Sequence, residues 1–188
     1  MNIRHLLTSG FLGLVALSMN ASDPSGEPYI TFTMHKTADD LYLKSSVYED
    51  PVYIQIGDNK IDTLRITSGI NELQKFPIRG ASESGTIVKV WASNKMWFIN
   101  MDQFRADNIK FGKDAQRGLK EFRCQANWIT DFSFLPQLKA LTYLVAGGNT
   151  KIKDAVIESA TLRRLDLGAT IYPSPSIETI TLSTPELT

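Results

Sequence analysis

Between residues 119 and 132 the large apolar positions run Leu119-x-x-Phe122-x-Cys124-x-x-Asn127-x-Ile129-x-x-Phe132. This spacing fits the template L-x-x-L-x-L/C-x-x-N-x-L, in which each unit contributes one strand and one turn to a stacked coil. Leu141-x-x-Leu144-x-Ala146-x-x-Asn149 keeps the spacing, and Leu162-x-x-Leu165-x-Leu167-x-x-Thr170 keeps it with Thr in place of Asn. Met96-x-x-Ile99-x-Met101-x-x-Phe104 is a degenerate earlier unit, and Ile177-x-x-Ile180-x-Leu182 opens a later one. Starts at 96, 119, 141, 162 and 177 give gaps of 23, 22, 21 and 15 residues. The first three fall within the roughly 20–29 residues of this repeat class, and the last is short.

The template has a physical cause. Alternate side chains of a strand point to opposite faces, so Phe122 and Cys124, or Leu165 and Leu167, turn inward together. The Asn after each strand can bond backbone groups that the turn leaves unpaired inside the coil. Stacked neighbours then bury what no single unit can bury. Two amphipathic helices are the competing assignment, but no stretch holds apolar residues at i, i+3, i+4 and i+7 for three turns. The expected row is Phe122, Leu144, Leu165 and Ile180, one above another.

Residues 29–94 have a different rhythm. Tyr29–Met34, Leu41–Val47, Val52–Ile56, Ile61–Ile66, Phe76–Ile78 and Ile87–Trp91 are short alternating segments separated by turn-forming residues. That pattern predicts an antiparallel β-sandwich. Gly57-Asp58-Asn59 is a hairpin turn in preference to a cation-binding loop, and the stretch 80–85 is a hairpin loop or flexible tip. The fold class expected for the chain is mostly β: this sandwich, then a short leucine-rich-repeat solenoid over 95–188 with few or no regular helices.

Composition narrows the functional classes. Residues 1–21 have the form of a secretory signal: Arg4 and His5, then a mostly apolar Leu6–Leu17, with small-residue cleavage sites at Ala16-Leu17-Ser18 and Ala21. About a dozen apolar residues fall short of the ~18–20 needed to cross a bilayer, so no transmembrane segment is expected. Residues 22–28, rich in Pro, Gly and Ser, are a flexible lead-in. One of the 20 basic residues, Arg4, lies in the signal, which leaves 19 against 20 acidic ones. Near-neutrality without a basic run argues against nucleic acid as a partner. The single cysteine, Cys124, rules out an internal disulfide framework and occupies an inward repeat position, as a buried apolar filler would.

With both halves in view, the chain resembles exported bacterial leucine-rich-repeat proteins, internalin-like surface or periplasmic proteins with an N-terminal β-sandwich. The matching segments are Val52-Tyr-Ile-Gln-Ile-Gly-Asp58, Gly85-Thr-Ile-Val-Lys-Val90, and the Leu119–Phe132 unit followed by Leu135-Pro136. The resemblance covers about residues 29–185 and implies recognition at the cell envelope, with no particular ligand. Cys124 does not stand after the apolar leader, where many such relatives carry a lipid-anchoring cysteine.

Catalytic chemistry finds few residues to work with. His35 is the one histidine outside the leader, and a lone strand histidine beside Lys36 is ordinarily a surface residue. No metal-ligand spacing such as H-x-x-x-H or C-x-x-C occurs, and no cofactor is expected. Asp39-Asp40 and Glu49-Asp50 are adjacent carboxylates in turn-like contexts, which favours solvated loops.

Binding is the better supported class. The residues between the inward ones should share one exposed face: Glu121, Arg123 and Gln125 beside Tyr143, Val145 and Gly147, then Arg164, Asp166 and Gly168, then Thr179, Thr181 and Ser183. An aromatic and a Val flanked by both charge signs suit a protein or peptide partner, with Tyr143 as the anchor. The same charges could equally serve to discourage edge pairing. A glycan-binding accessory protein is the alternative, with Trp128 and Tyr172 as its aromatic platform and Trp91 and Trp97 as weaker members. A purely structural module of a larger envelope protein is the third class.

Overall fold

The structure, a computed structural model, describes residues 24, 26–67, 69–168 and 177–187. The expected signal at 1–21, and Tyr172, lie outside the described residues. The protein is mostly β, with thirteen strands among the described residues and one short α-helix, α1 (Lys113–Gly118).

Eleven strands form two sheets. The strands β1 (Ile30–Met34), β3 (Pro51–Ile56), β4 (Asp62–Arg65), β6 (Thr86–Trp91) and β8 (Ala106–Phe111) make an antiparallel sheet in the order β4-β3-β6-β1-β8. The second sheet joins β2 (Ala38–Ser45), β5 (Gln74–Arg79), β7 (Met96–Asn100), β9 (Glu121–Arg123), β10 (Tyr143–Val145) and β12 (Arg164–Asp166), in the order β12-β10-β9-β7-β2-β5. Pairing is antiparallel from β5 through β2 to β7, and parallel from β7 through β9 and β10 to β12. Hence β7 is the hinge between the two pairing modes: it joins the long-range antiparallel pairing of β2 and β5 on one side and starts the parallel stack on the other.

Strict alternation explains the burial. In β1 the residues Ile30, Phe32 and Met34 are buried while Thr31 and Thr33 are partly exposed, as period two requires. Inward residues of both sheets join one apolar cluster, in which Phe32 meets Phe104 edge-to-face at 5.7 Å between ring centres. Across the second sheet Leu43, Ile99, Phe122, Leu144 and Leu165 stand in register. The first four are fully buried. Leu165 is only partly so, because β12 is the edge strand of this sheet among the described residues.

The expected asparagine bonding is present in two turns. Asn127 accepts the Ala106 N–H at 2.8 Å and donates to the carbonyls of Met101 at 2.9 Å and Gln125 at 3.3 Å. Asn149 donates to those of Cys124 at 2.9 Å and Ala146 at 2.7 Å. Thr170 lies outside the described residues. Gly147 is required where it stands: a Cβ there would come within 1.8 Å of the Gly168 carbonyl oxygen.

Several expectations are corrected. The fourth rung does not stack on β12: β13 (Thr179–Ser183) pairs in parallel with β11 (Asp154–Glu158) in a separate two-stranded sheet. Ile180 therefore sits opposite Ala155, not beside Leu165, and is 52% exposed. Asp39 and Asp40 belong to β2, where Asp39 pairs with Lys36, and Asp40 with Lys75 at 2.7 Å and Arg79 at 3.0 Å. Asp50 is buried, accepting hydroxyl protons from Ser45 at 2.7 Å and Ser93 at 2.9 Å. The 80–85 loop is no hairpin, since it carries the chain from β5 in one sheet to β6 in the other. Both sheets draw strands from each side of residue 94, because β8 returns to the edge of the first sheet. Gly26 and Glu27, within the expected lead-in, are anchored by the Trp91 indole N–H and the Lys113 N–H.

Candidate functional site

Above the buried row lies a polar row on the opposite face of the second sheet. Lys44, Phe98, Glu121, Tyr143 and Arg164 are in register, and the next row runs Tyr42, Asn100, Arg123, Val145 and Asp166. The expected neighbours Glu121, Tyr143 and Arg164, and likewise Arg123, Val145 and Asp166, are thus brought together. Thr179, Thr181 and Ser183 are not, since they lie on β13.

These rows form a ladder of alternating cations and aromatic rings. The Lys44 ammonium lies 5.5 Å from the Trp97 ring centre and 5.1 Å from that of Phe98. The Arg123 guanidinium is 5.6 Å from Phe98 and 5.9 Å from Tyr143, and that of Arg164 is 4.4 Å from Tyr143. Each exposed contact of this kind is worth about 0.5–1 kcal/mol. Arg123 is held by Glu121 through nitrogen–oxygen contacts of 2.7 Å. No ion pair among the described residues uses Lys44 or Arg164.

Two expected members of the face are corrected. Val145 is only 4% exposed, a short side chain between Arg123 and Asp166 in register. Gly147 is buried against the following turn. Gln125 stays partly exposed and donates to the Gly168 carbonyl at 3.4 Å. Sequence reasoning missed Lys44 and Phe98, which join these rows through the pairing of β2 with β7; Phe98, like Val145, is only 4% exposed and forms the floor beneath Lys44 and Arg123. Alternation within β2 and β7 marks their side, but no repeat template includes both.

Near the turns, Asp102 takes the Gln125 N–H at 2.6 Å. Burial raises its pKa above the ordinary aspartate value, and the Gln125 bond and the Arg123 charge only partly oppose this. Cys124 is completely buried, and desolvation pushes its thiol well above the usual range, away from the reactive thiolate.

The alternative platform looks different. Trp128 is partly exposed, but His35 packs on its ring at 4.8 Å between centres and the Lys151 ammonium lies 4.5 Å from the ring centre. A sugar stacking on Trp128 would share the ring with both of these contacts. His35 is not the surface residue expected: its side chain is mostly buried and its Nε2 is 3.2 Å from an Asp107 carboxylate oxygen. Trp91 is buried and Trp97 donates its indole N–H to Asn71, so neither joins Trp128. Among the described residues no helix is long and apolar enough to cross a membrane, and no three potential metal ligands cluster.

No family model, curated protein or solved structure matches this chain.

Proposed function

We propose that this is an exported, non-enzymatic recognition protein of the bacterial cell envelope. In this reading the two large sheets are a β-sandwich, and the parallel strands are the beginning of a short leucine-rich-repeat solenoid like that of internalin-like proteins. The partner is a protein or peptide, and it docks on the exposed face of β7, β9, β10 and β12. The observation that carries the proposal is Tyr143, held between the guanidinium groups of Arg123 and Arg164 above a row of buried side chains. A rigid aromatic flanked by arginines is the composition that concentrates binding energy at interfaces. The bonding of Asn127 and Asn149 inside successive turns favours the repeat interpretation.

Lys44 and Arg164 bring charge to the two ends of the ladder, so a partner bearing carboxylates fits best. The test is selection of a random peptide library on the purified chain. Acidic peptides should be enriched, and Tyr143→Ala or Arg164→Glu should weaken them at least tenfold. Failure to enrich any peptide, or binding indifferent to both changes, overturns the proposal and favours a purely structural module.

A further inference from the structure

Where the parallel strands end, their successive turns line an open-mouthed cavity of about 270 Å³. Gln103 and Arg105 come from the turn after β7, Ala126 to Trp128 from that after β9, Gly148 and Thr150 from that after β10, and Lys36 from the segment following β1. Among the described residues its lining includes two cations, Lys36 and Arg105, and no carboxylate. Lys36 is paired with Asp39, whereas the exposed Arg105 enters no ion pair among the described residues.

The walls are preset. Gln103, Arg105 and Ala126 all have positive φ, at 66°, 51° and 52°, and Gly148 has φ 72°. Non-glycine residues enter this region at a cost, and such strain concentrates at binding sites. The Gln103 N–H to Gln125 carbonyl bond at 2.8 Å and the Ala126 N–H to Gly147 carbonyl bond at 2.9 Å fasten one turn to the next. His35 and Lys151 hold the Trp128 ring from outside the lining.

We propose that this cavity binds an acidic sugar unit, its carboxylate directed at Arg105 and Lys36 and a hydroxyl at the exposed Gln103 amide. The volume exceeds that of a simple anion, which leaves room for a ligand with a body as well as a charge. The lining sets that amide beside a single aromatic wall, which suits a ring bearing hydroxyls better than an apolar acid. With its ring already packed, Trp128 meets the sugar as a side wall and not as a stacking platform. The site shares no residue with the Tyr143 ladder, so it stands or falls separately from the strand-face proposal.

Calorimetric titration of the purified chain with trigalacturonate, maltotriose and inorganic phosphate tests it. The acidic trimer should bind, the neutral trimer should bind at least tenfold more weakly, and phosphate should not compete at equal concentration. Arg105→Gln, an exposed change, should weaken the acidic trimer about tenfold, Trp128→Phe should weaken it measurably, and Tyr143→Ala should leave it unchanged. Equal affinity for the neutral trimer, phosphate competing on equal terms, no binding of the acidic trimer, or full affinity in Arg105→Gln would each overturn the inference.

Discussion

Two parallel pairings in this molecule start from similar sequence and end in different environments. β9, β10 and β12 stack with Phe122 and Leu144 fully buried, whereas in β13 every residue is exposed and Leu182 is 51% so. Both segments carry large apolar residues at template spacing. The difference lies in what covers them: the stack has β7 and the first sheet behind it, whereas among the described residues β13 pairs with β11 alone. An apolar pattern directs a segment into a strand, but burial needs a neighbour of matching length to close over it.

The largest expected contrast is therefore between Leu144→Ala and Ile180→Ala. The first empties a fully buried site and should cost about 2–5 kcal/mol in denaturant unfolding, while the half-exposed second should cost less than about 1 kcal/mol. Equal losses would erase the distinction drawn here. Next comes Asn127→Ala. It strands the buried Ala106 N–H and the Met101 carbonyl and should cost about 2–3 kcal/mol, against well under ~1 kcal/mol for Thr181→Ala on the exposed strand.

A smaller effect sharpens the surface side of the comparison. A double-mutant cycle on Tyr143→Ala and Arg164→Ala should return a coupling of about 0.5–1 kcal/mol, whereas Thr181 and Arg164, on different sheets, should show none. The smallest concerns Asp102. Its pKa is raised in the fold, so protonation favours the folded state below the unfolded pKa, and that gain is lost as pH rises through the folded value. Asp102→Asn, which keeps an acceptor for the Gln125 N–H, should raise the melting temperature by roughly 2 °C at pH 7 and by nothing near pH 3. A gain of the same size in acid would remove burial as the cause.

Much of the stack was legible because its signals are local. Leu119 to Asn127 and Leu141 to Asn149 each carry the inward residues and the turn asparagine within a few positions, and the degenerate Met96 unit is indeed the first parallel strand. The misplaced Ile180 followed from treating a gap of 15 residues as another rung, whereas β13 pairs with β11, which lies earlier in the chain between β10 and β12. β11 itself, Asp154-Ala-Val-Ile-Glu158, hides its alternation behind a small Ala155 and charged ends. β8 was invisible for another reason: it lies between the Met96 and Leu119 segments and leaves their sheet to pair with β1, where the register shifts between Thr31 and Thr33.

Of the site, the repeat register placed Tyr143 with Arg164 and Glu121, but the ladder depends on Lys44 and Phe98, whose contacts only the long-range pairing of β2 with β7 creates. Val145 and Asp50 failed in the same way, since their burial is decided by residues distant in the chain. The cavity beside Trp128 was beyond reach from sequence, because four separate segments meet there.

The in-register row Ile99, Phe122, Leu144 and Leu165 beneath the Tyr143 face underlies both the stability and the surface of this sheet. Nuclear Overhauser contacts on selectively methyl-labelled protein test it directly. The Leu144 methyl groups should contact both Leu165 and the Phe122 ring, and Ile180 should contact Ala155. Contacts between Ile180 and Leu165, or none between Leu144 and Leu165, would contradict it.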